Sequence, residues 1–308
     1  MNKQEEHFLG VDVGGTHLKI GLVNRQGDII SFDKEDTTPY RENPEGFNAC
    51  FINGLAKYLK KYPEVRKVGI GLPGLISKNR TTTLEIPAIP ALNGFNLKKG
   101  LLEKYPDIKF YLENDAAAAA LGEFRYGKEN PSDNFLFITM GTGIGSGLIL
   151  DGEIFKGSRG NAMEMGHMLS HGNAGLEKLI GRDGILRILE RLIQAYPVLA
   201  GDDLTNKELG THLLVDTAKA GNKVSLMVFE EVGRILGEAI VSTIRILDVT
   251  EVYFGGGISA GLEFMMPSLD KTVRQYLTPY YVKDLKLKKA TLDNNAGTLG
   301  AAALCFMD

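Results

Sequence analysis

FLGVDVGGTHLKIGLVNRQGDII, residues 8–30, and FLFITMGTGIGSGLILDGEI, residues 135–154, are built on the same plan. Each segment runs from an apolar strand through a glycine-rich loop that contains threonine into a second apolar strand. A glycine-containing turn and a third strand follow in both segments. Two copies of one such unit predict two similarly built α/β lobes that face each other.

The segments outside the two copies are mostly helical in pattern. An apolar residue recurs at every fourth position from Phe47 to Leu59, which predicts an amphipathic helix that ends before Pro63. The run AAAAALGEFRYG, residues 116–127, favours a helix with a small, closely packing face. The second half is mainly helical, and the strand-like stretch VTEVYFGGGISAG, residues 249–261, interrupts it.

Length, charge and cysteine content limit the class of protein. The 308 residues allow one or two domains with a sizeable core. A net charge of -3 argues against a dedicated nucleic-acid surface, which is usually basic. Cys50 and Cys305 form no CxxC pair, which argues against a disulfide framework. Since neither a signal peptide nor a long apolar run is visible, we expect a cytoplasmic protein that does not bind membranes.

Three glycine-rich loops follow predicted strands and are candidates for phosphate or nucleotide binding. In DVGGT, residues 12–16, the backbone N–H groups could form an anion-binding nest, the threonine adds a hydroxyl donor, and Asp12 could hold a hydrated Mg²⁺. GTGIG, residues 141–145, stands at the matching place in the second copy, and FGGGIS, residues 254–259, follows a later strand. Each loop alone is equally typical of a tight turn. The first is not a GxGxxG motif that opens a helix, which excludes a Rossmann interpretation.

Two further groups of polar residues are candidates for chemistry. Asp115 follows a predicted strand and suits a general base, while Asn114 beside it suits either a hydroxyl ligand or a helix cap.

The second group lies in GNAMEMGHMLSHGNAGLEKL, residues 160–179, which contains Glu164, His167, His171 and Glu177. By itself this set is compatible with a metal site or with a polar small molecule. The two histidines are four residues apart and could bind the same metal ion only if they lay on one helix. The glycines in this stretch disfavour a regular helix.

The motifs DVGGT, GIGLPG, ENDAAAAALGE, GTGIGSG, EMGH and GGGIS occur in the order and approximate spacing of the ROK family of sugar kinases. The chain resembles that family, a branch of the actin-like ATPase superfamily, from about Gly10 to Gly300. The resemblance implies an α/β fold of two RNase-H-like lobes with a central cleft. We assign residues 1–118 plus 296–308 to an N-terminal lobe and residues 119–295 to a C-terminal lobe.

The resemblance also implies an ATP-dependent hexose kinase, glucokinase-like, that phosphorylates the sugar 6-hydroxyl with Asp115 as base. Kinases for N-acetylmannosamine, N-acetylglucosamine, fructose or allose share the same motifs and remain alternatives. A non-catalytic, sugar-sensing ROK regulator is an alternative of another class. Because DVGGT begins at residue 12, we expect no DNA-binding segment ahead of it. The family also implies a small-molecule sugar and ATP as partners, and a homodimer.

The site residues implied by the resemblance fall into three groups. Asp115 is the expected catalytic base. The expected sugar ligands are Gly74, Asn114, Asp115, Glu164, His167 and Glu177. The expected nucleotide and phosphate ligands are Asp12, Gly14, Gly15, Thr16, Gly141, Thr142, Gly143, Gly255, Gly256 and Gly257, with Asp12 also holding Mg²⁺ through water.

The stretch after EMGH departs from the family pattern. Related kinases carry a cysteine cluster there that binds zinc together with the histidine, whereas MLSHGNAGLEKL contains no cysteine. We therefore expect no structural zinc and predict that Glu164, His167 and Glu177 hold sugar hydroxyls, since carboxylates offer two acceptor oxygens each. His171 matches no family residue and is expected on the surface.

Overall fold

The computed structural model describes residues 6–40 and 42–307. Its strands are β1 His7–Val13, β2 His17–Asn24, β3 Ile29–Asp36, β4 Lys67–Leu72, β5 Leu75–Ile76, β6 Thr83–Glu85, β7 Lys109–Asn114, β8 Phe135–Met140, β9 Ile144–Leu150, β10 Glu153–Ile154, β11 Glu251–Gly255 and β12 Lys286–Lys289. Its helices are α1 Pro44–Lys61, α2 Leu97–Lys104, α3 Asp115–Tyr126, α4 Leu176–Ile180, α5 Arg182–Ala195, α6 Pro197–Thr205, α7 Thr211–Lys219, α8 Lys223–Leu247, α9 Leu262–Tyr276, α10 Pro279–Val282 and α11 Ala296–Ala303. Among the helices in these ranges, none has the length and apolar character that a membrane span requires.

The chain divides into two compact units. Unit 1 comprises residues 1–133, 147–163 and 291–308, and unit 2 comprises residues 134–146 and 164–290. The boundaries between these units lie at different residues from the boundaries of the two predicted lobes. The lobe boundaries stay a prediction.

The main sheet of unit 1 has the strand order β3-β2-β1-β4-β7. Strands β1, β2 and β3 form an antiparallel meander, while β4 and β7 run parallel to β1. The first glycine loop forms the turn between β1 and β2, as the sequence predicts. Parallel strands need crossover connections, and the helical segments between β1, β4 and β7 supply them.

The predicted helices of unit 1 are present. Helix α1 buries Phe47, Phe51 and Leu55 in the hydrophobic core that includes the sheet. Helices α3 and α11 pack closely, because Gly122 lies so near Gly300 that a Cβ on either residue would overlap the other helix. The small-residue face of α3 is the reason for this short approach.

The second large sheet has the order β10-β9-β8-β11-β12, with β11 parallel to both β8 and β12. This order repeats that of the first sheet, where β1 pairs with parallel β4 and β4 pairs in turn with parallel β7. The duplication seen in the sequence is therefore confirmed in the strand order. The boundary between the two units falls inside β9.

Unit 2 carries most of the helices. The 25-residue α8 packs against α9, where a Cβ on Gly233 would overlap the backbone carbonyl of Met265. Its buried face includes Val228, Leu236 and Ile240. The helix therefore contributes a buried apolar face to this unit, within the half of the chain that the sequence predicts to be mainly helical.

Candidate active site

Two aspartates lie at the carboxyl edge of the sheet in unit 1. Asp12 is in register with Gly71 of β4, and Gly71 is in register with Glu113 of β7. Asp115 follows directly after β7. Since neighbouring strands are about 4.8 Å apart, backbone positions two strands apart are roughly 10 Å apart. This edge is where ligands bind in open α/β sheets.

Asp115 is the first residue of α3 and Asn114 caps that helix. The Asn114 side-chain oxygen accepts hydrogen bonds from the backbone N–H groups of Ala116 and Ala117, both at 3.0 Å. Asp115 Oδ1 accepts from Ala116 at 2.8 Å, and Asp115 is half-buried. The capping role and the predicted ligand role of Asn114 are compatible, because its Nδ2 group is not used by the cap.

Gly74 lies beside Asn114. The Asn114 Nδ2 group donates to the Gly74 carbonyl over 3.3 Å. Gly74 has φ = +102°, and a Cβ there would overlap the carbonyl oxygen of Glu85. A positive φ and this close approach both require glycine. The structure thus brings two of the predicted sugar ligands together.

The DVGGT turn is closed by its own hydrogen bonds. The Gly14 N–H donates to the carbonyl of His17 at 2.9 Å, so this group belongs to the turn. Gly15 packs against Ala88, where a Cβ would stand 2.9 Å from the alanine Cβ. Thr16 is exposed. Thr37 Oγ1 donates to the Gly14 carbonyl at 3.0 Å and stabilises the turn further.

Asp12 has a cationic partner that the sequence interpretation missed. Lys19 is directly opposite on β2, and its Nζ lies 2.9 Å from Asp12 Oδ2. On the other side, the carboxylate lies so close to Gly297 of α11 that a Cβ there would overlap it. The Asp12 carboxylate is therefore held between an ammonium group and a helix that begins with small residues.

The second and third glycine loops line one cavity in unit 2. Gly141 and Thr142, after β8, and Gly257, after β11, form part of a cavity of about 310 Å³. The two loops meet because β8 and β11 are parallel neighbours, with Thr139 in register with Gly255. Residues of α5 and α7 complete the wall, namely Arg182, Thr211, His212, Val215, Asp216 and Lys219.

The three consecutive glycines after β11 differ in role. Gly255 is buried, and a Cβ there would lie 2.8 Å from the Phe137 ring. Gly256 has φ = +84° and a Cβ would overlap the backbone of Met140. Only Gly257 of the three has open space around its Cβ position and lines the cavity. Gly255 and Gly256 thus allow close packing, and Gly257 faces the cavity.

Glu177 contacts the second glycine loop directly. Its Oε2 accepts a hydrogen bond from the Ile144 N–H at 3.1 Å, and a Cβ on Gly143 would overlap the same oxygen. Glu177 lies in the first turn of α4, and the Arg182 N–H donates to the carbonyl of Gly141 at 3.1 Å. Gly143 is therefore required by the carboxylate, whereas no atom stands within 4 Å of a Cβ on Gly141.

Glu164 and His167 form a tight turn within unit 2. The His167 N–H donates to the Glu164 carbonyl at 3.0 Å, and both side chains are exposed. Although Glu164 is an exposed residue, the protein around its carboxyl group desolvates it and raises its pKa above the ordinary value. His167 opposes this rise and the negative charge of Glu177 adds to it.

The segment between His167 and Glu177 folds as a small hairpin. Leu169 pairs with Gly175 across an antiparallel bridge, the Ser170 N–H donates to Ala174 at 2.8 Å, and the Leu176 N–H donates to Met168 at 3.0 Å. These backbone hydrogen bonds support the loop between His167 and Glu177.

The tip of this hairpin is held by a hydrogen bond between two side chains. His171 is a surface residue, as expected, and it pairs with Glu238 of α8, which also binds Arg234 at 2.7 Å. In the part of the chain that the structure describes, no three His, Cys, Asp or Glu side chains converge as a metal site.

The sequence profile of the ROK family matches residues 8–307. The chain belongs to the ROK family. A glucokinase from Thermotoga maritima is 31% identical over 96% of this chain and 96% of its own length. A xylose repressor from Caldicellulosiruptor bescii is 27% identical over 100% of this chain and 80% of its own.

Solved structures agree with this membership. A protein from Cytophaga hutchinsonii superposes with a TM-score of 0.91 at 36% identity, covering 98% of this chain and 100% of its own. A ROK family glucokinase from Streptomyces griseus in complex with glucose and AMPPNP gives a TM-score of 0.84 at 26% identity, covering 98% and 100%. This ROK protein therefore has the predicted mixed α/β, actin-like ATPase fold.

Sequence reasoning missed the residues near the candidate site that come from distant segments. His212 and Lys219 line the cavity but stand about 70 residues or more after the loop of Gly141 and Thr142. Arg80 pairs with Glu113 from 33 residues away. No local pattern in the sequence marks these residues. The one signal is a charged residue, Glu113, within an apolar predicted strand, because a buried carboxylate needs a partner.

Proposed function

We propose that this ROK protein is an ATP-dependent hexose kinase, glucokinase-like, that transfers the γ-phosphoryl group to a sugar 6-hydroxyl. One observation carries the proposal: Asp12 and Asp115 stand at the same carboxyl edge of one sheet, two strands apart. This arrangement suits a base for a hydroxyl beside a group that organises phosphate charge. The likeness to the Thermotoga and Streptomyces glucokinases supports it.

Asp115 is proposed as the general base. Its carboxylate is at the N-terminus of α3, where Oδ1 accepts the Ala116 N–H. The carboxylate accepts the proton of the sugar hydroxyl as the new O–P bond forms and the bond to the departing ADP breaks. Phosphoryl transfer depends mainly on alignment and charge stabilisation, and Asn114 and Gly74 are proposed to align the sugar.

The cavity in unit 2 is proposed to hold the nucleotide. Gly141 and Gly257 in its wall permit close approach of a nucleobase or a phosphate group. Arg182 and Lys219 supply positive charge. The Streptomyces glucokinase was solved with AMPPNP, an ATP analogue, which supports ATP as the donor. Thr142 and Thr16 are proposed as hydroxyl donors to phosphate oxygens.

Mg²⁺ fits the residues around Asp12. A carboxylate at this edge is a hard oxygen ligand of the kind that Mg²⁺ takes, often through water. Gly297 packs against one side of that carboxylate, where a Cβ on residue 297 would overlap it. Asp12 would hold the hydrated ion, and the ion would neutralise charge on the phosphates. Lys19 Nζ, 2.9 Å from Asp12 Oδ2, orients the carboxylate.

The sugar hydroxyls are proposed to bind to Glu164, His167 and Glu177. Glu177 uses Oε2 for the Ile144 N–H, so Oε1 is the atom that we assign to a hydroxyl. His167 is exposed in the turn after Glu164 and adds a donor or acceptor nitrogen. The backbone hairpin after His167 holds this set together, so no zinc is needed in the proposal.

A second candidate is a sugar-sensing regulator. The xylose repressor matches the whole of this chain at 27% identity, so the fold also serves a protein named as a repressor. Among enzymes, the alternatives are kinases of N-acetylmannosamine, N-acetylglucosamine, fructose or allose. All would use the same Asp115.

A coupled assay separates these candidates. The purified protein is mixed with ATP, Mg²⁺ and each member of a panel of hexoses and N-acetylhexosamines, and ADP release is followed. We expect turnover that is highest with glucose and absent in the Asp115→Asn variant. Sugar binding without ADP release on any member would favour the regulator. A higher kcat/KM on another sugar would retain the kinase and replace its substrate.

A further inference from the structure

A buried cluster of charges lies directly behind the Asn114–Asp115 pair. We name Arg80, Glu113 and Lys156 the Glu113 cluster. The Glu113 side chain is only 2% exposed, and Arg80 contacts both of its oxygens, Nη2 to Oε1 at 2.8 Å and Nε to Oε2 at 3.1 Å. Lys156 Nζ lies 3.6 Å from Oε2. A carboxylate this deeply buried requires such partners.

The cluster is bonded to the proposed catalytic segment. Glu113 Oε1, which binds Arg80, also accepts the backbone N–H of Asn114 at 2.9 Å. Asn114 then caps α3 and contacts Gly74, while Asp115 is the next residue. A shift of the Glu113 carboxylate would therefore move the backbone that aims both site residues.

Arg80 is itself held in place from two sides. It stands in a turn with φ = +54°, and its N–H donates to Ser77 at 2.8 Å. Its Nη2 group also donates to the carbonyl of Gly160, and a Cβ on Gly160 would lie 2.8 Å from Arg80 Nη1. A left-handed conformation is unfavourable for arginine, so surrounding contacts must maintain it.

A second link joins the same two segments. Asn161 donates to the Ile76 carbonyl and accepts from its N–H, both at 2.9 Å. The turn that carries Arg80 and the segment that carries Gly160 are thus fixed together within unit 1. The guanidinium has little freedom to leave the Glu113 carboxylate.

We propose that Arg80 is a positioning residue, which acts through Glu113 to fix the orientation of Asn114 and Asp115 for phosphoryl transfer. This inference rests on the proposed kinase function. A buried ion pair contributes little to stability that an apolar pair would not supply, so geometry is the better reason for it. The planar, two-pronged guanidinium fixes a carboxylate in a way that the point charge of lysine does not.

The test compares the wild type with Arg80→Lys, Arg80→Met and the neutral pair Arg80→Met/Glu113→Gln. Each variant is checked by circular dichroism and thermal unfolding, and kcat and KM are measured per folded protein. Since a misplacement of about 1 Å can cost roughly 10²-fold in rate, we expect Arg80→Met to lower kcat by that order. Arg80→Lys is expected to recover part of the loss, and the KM for ATP should change less than about threefold.

The neutral pair separates positioning from stability. It removes the unpaired buried charge and is expected to unfold near the wild-type temperature, yet its kcat should remain as low as that of Arg80→Met. Lys57→Met, which breaks the exposed Lys57–Asp33 pair of unit 1, is the control and should keep wild-type kcat.

Two failures are distinguishable. A neutral pair with wild-type kcat beside an active wild type would overturn the positioning role alone. A wild type that shows no turnover on any sugar would overturn the proposed function and this inference with it.

Discussion

The two groups of proposed sugar ligands are held by different means. Asn114 and Asp115 in unit 1 rest on a buried ion-pair cluster and a helix cap. Glu164, His167 and Glu177 in unit 2 rest on backbone hydrogen bonds of a short hairpin and on glycine contacts. The first group has rigid, charged support beneath it, as alignment of a reacting hydroxyl demands.

The difference between the two groups lies in the kind of contact that supports each of them. The hairpin after His167 is closed by hydrogen bonds between backbone groups and by the surface contact between His171 and Glu238. Binding of a ground-state sugar tolerates such support better than the transfer step does. We therefore expect substitutions in the first group to act on kcat and those in the second group to act on the KM for sugar.

Asp115→Asn should have the largest effect. Loss of the base is expected to lower kcat by about 10²–10⁴-fold, because a positioned base contributes that much, while sugar affinity changes little. Turnover by the coupled assay and sugar binding by calorimetry measure the two separately. Asp107→Asn, at an exposed residue before β7, is the matched control. Lost binding with intact turnover would contradict the division between the groups.

Gly143→Ala should be the next largest. The added Cβ would overlap Glu177 Oε2 and displace that carboxylate. Overpacking costs about 1–3 kcal/mol, and 1.4 kcal/mol corresponds to tenfold, so we expect the KM for sugar to rise about tenfold.

Gly141→Ala provides the contrast two residues away. No protein atom lies within 4 Å of its Cβ position, but that position belongs to the nucleotide cavity. Steady-state kinetics should show its effect on the KM for ATP. Equal effects of both variants on the sugar KM would argue against a Glu177–sugar contact.

Glu164 should give sugar binding a dependence on pH. Desolvation raises the pKa of Glu164 above that of an ordinary glutamate, which is about 4.3. As the pH falls, Glu164 therefore takes up its proton at a higher pH than an ordinary glutamate does. The ionised form accepts the sugar hydroxyls, so the KM for sugar should rise as pH falls through the raised pKa. Glu164→Gln should have a several-fold higher KM at neutral pH and lack that rise.

The free energy of unfolding should depend on pH in the opposite direction from sugar binding. Because the folded state binds this proton more tightly than the unfolded state, the contribution of Glu164 to stability is lost as pH rises through the interval between the two pKa values. Thermal unfolding of Glu164→Gln against pH should lack this component. Glu190→Gln, another exposed glutamate of unit 2, should leave both profiles unchanged.

His171→Asn should have a small effect. The His171–Glu238 pair lies at the surface, where such pairs contribute about 0–1 kcal/mol, so we expect the sugar KM to change by less than about fivefold. Asp270→Asn removes a comparable exposed pair with Arg274 and serves as the control. A large loss of binding in the histidine variant would show that the hairpin depends on its tip.

Chelation should have no effect at all on unfolding. The hairpin is held by backbone hydrogen bonds, so we expect no stoichiometric zinc in the purified protein and no change in melting temperature with a chelator present. Metal analysis and thermal unfolding provide the measurements. One zinc per chain, or a chelator-sensitive fold, would contradict the proposed replacement of the metal.

The sequence by itself determined the features that depend on local pattern. The two copies of strand, glycine loop and strand gave matching sheets, and the four-residue spacing from Phe47 gave α1. These succeed because amphipathic periodicity and glycine turns reflect the hydrogen bonding and packing of neighbouring residues. That the glycine loops after these strands bind ligands stays a prediction.

Only the tertiary structure decided which side chains meet across long separations. The packing of strands and helices sets three such contacts. They are Arg80 with Glu113, Glu177 with Gly143, and His171 with Glu238. The same holds for the distinction among the glycines after β11, where two are required for packing and Gly257 lines the cavity. Local sequence carries no record of these approaches, because the free energy that fixes them comes from burial and charge in the folded state.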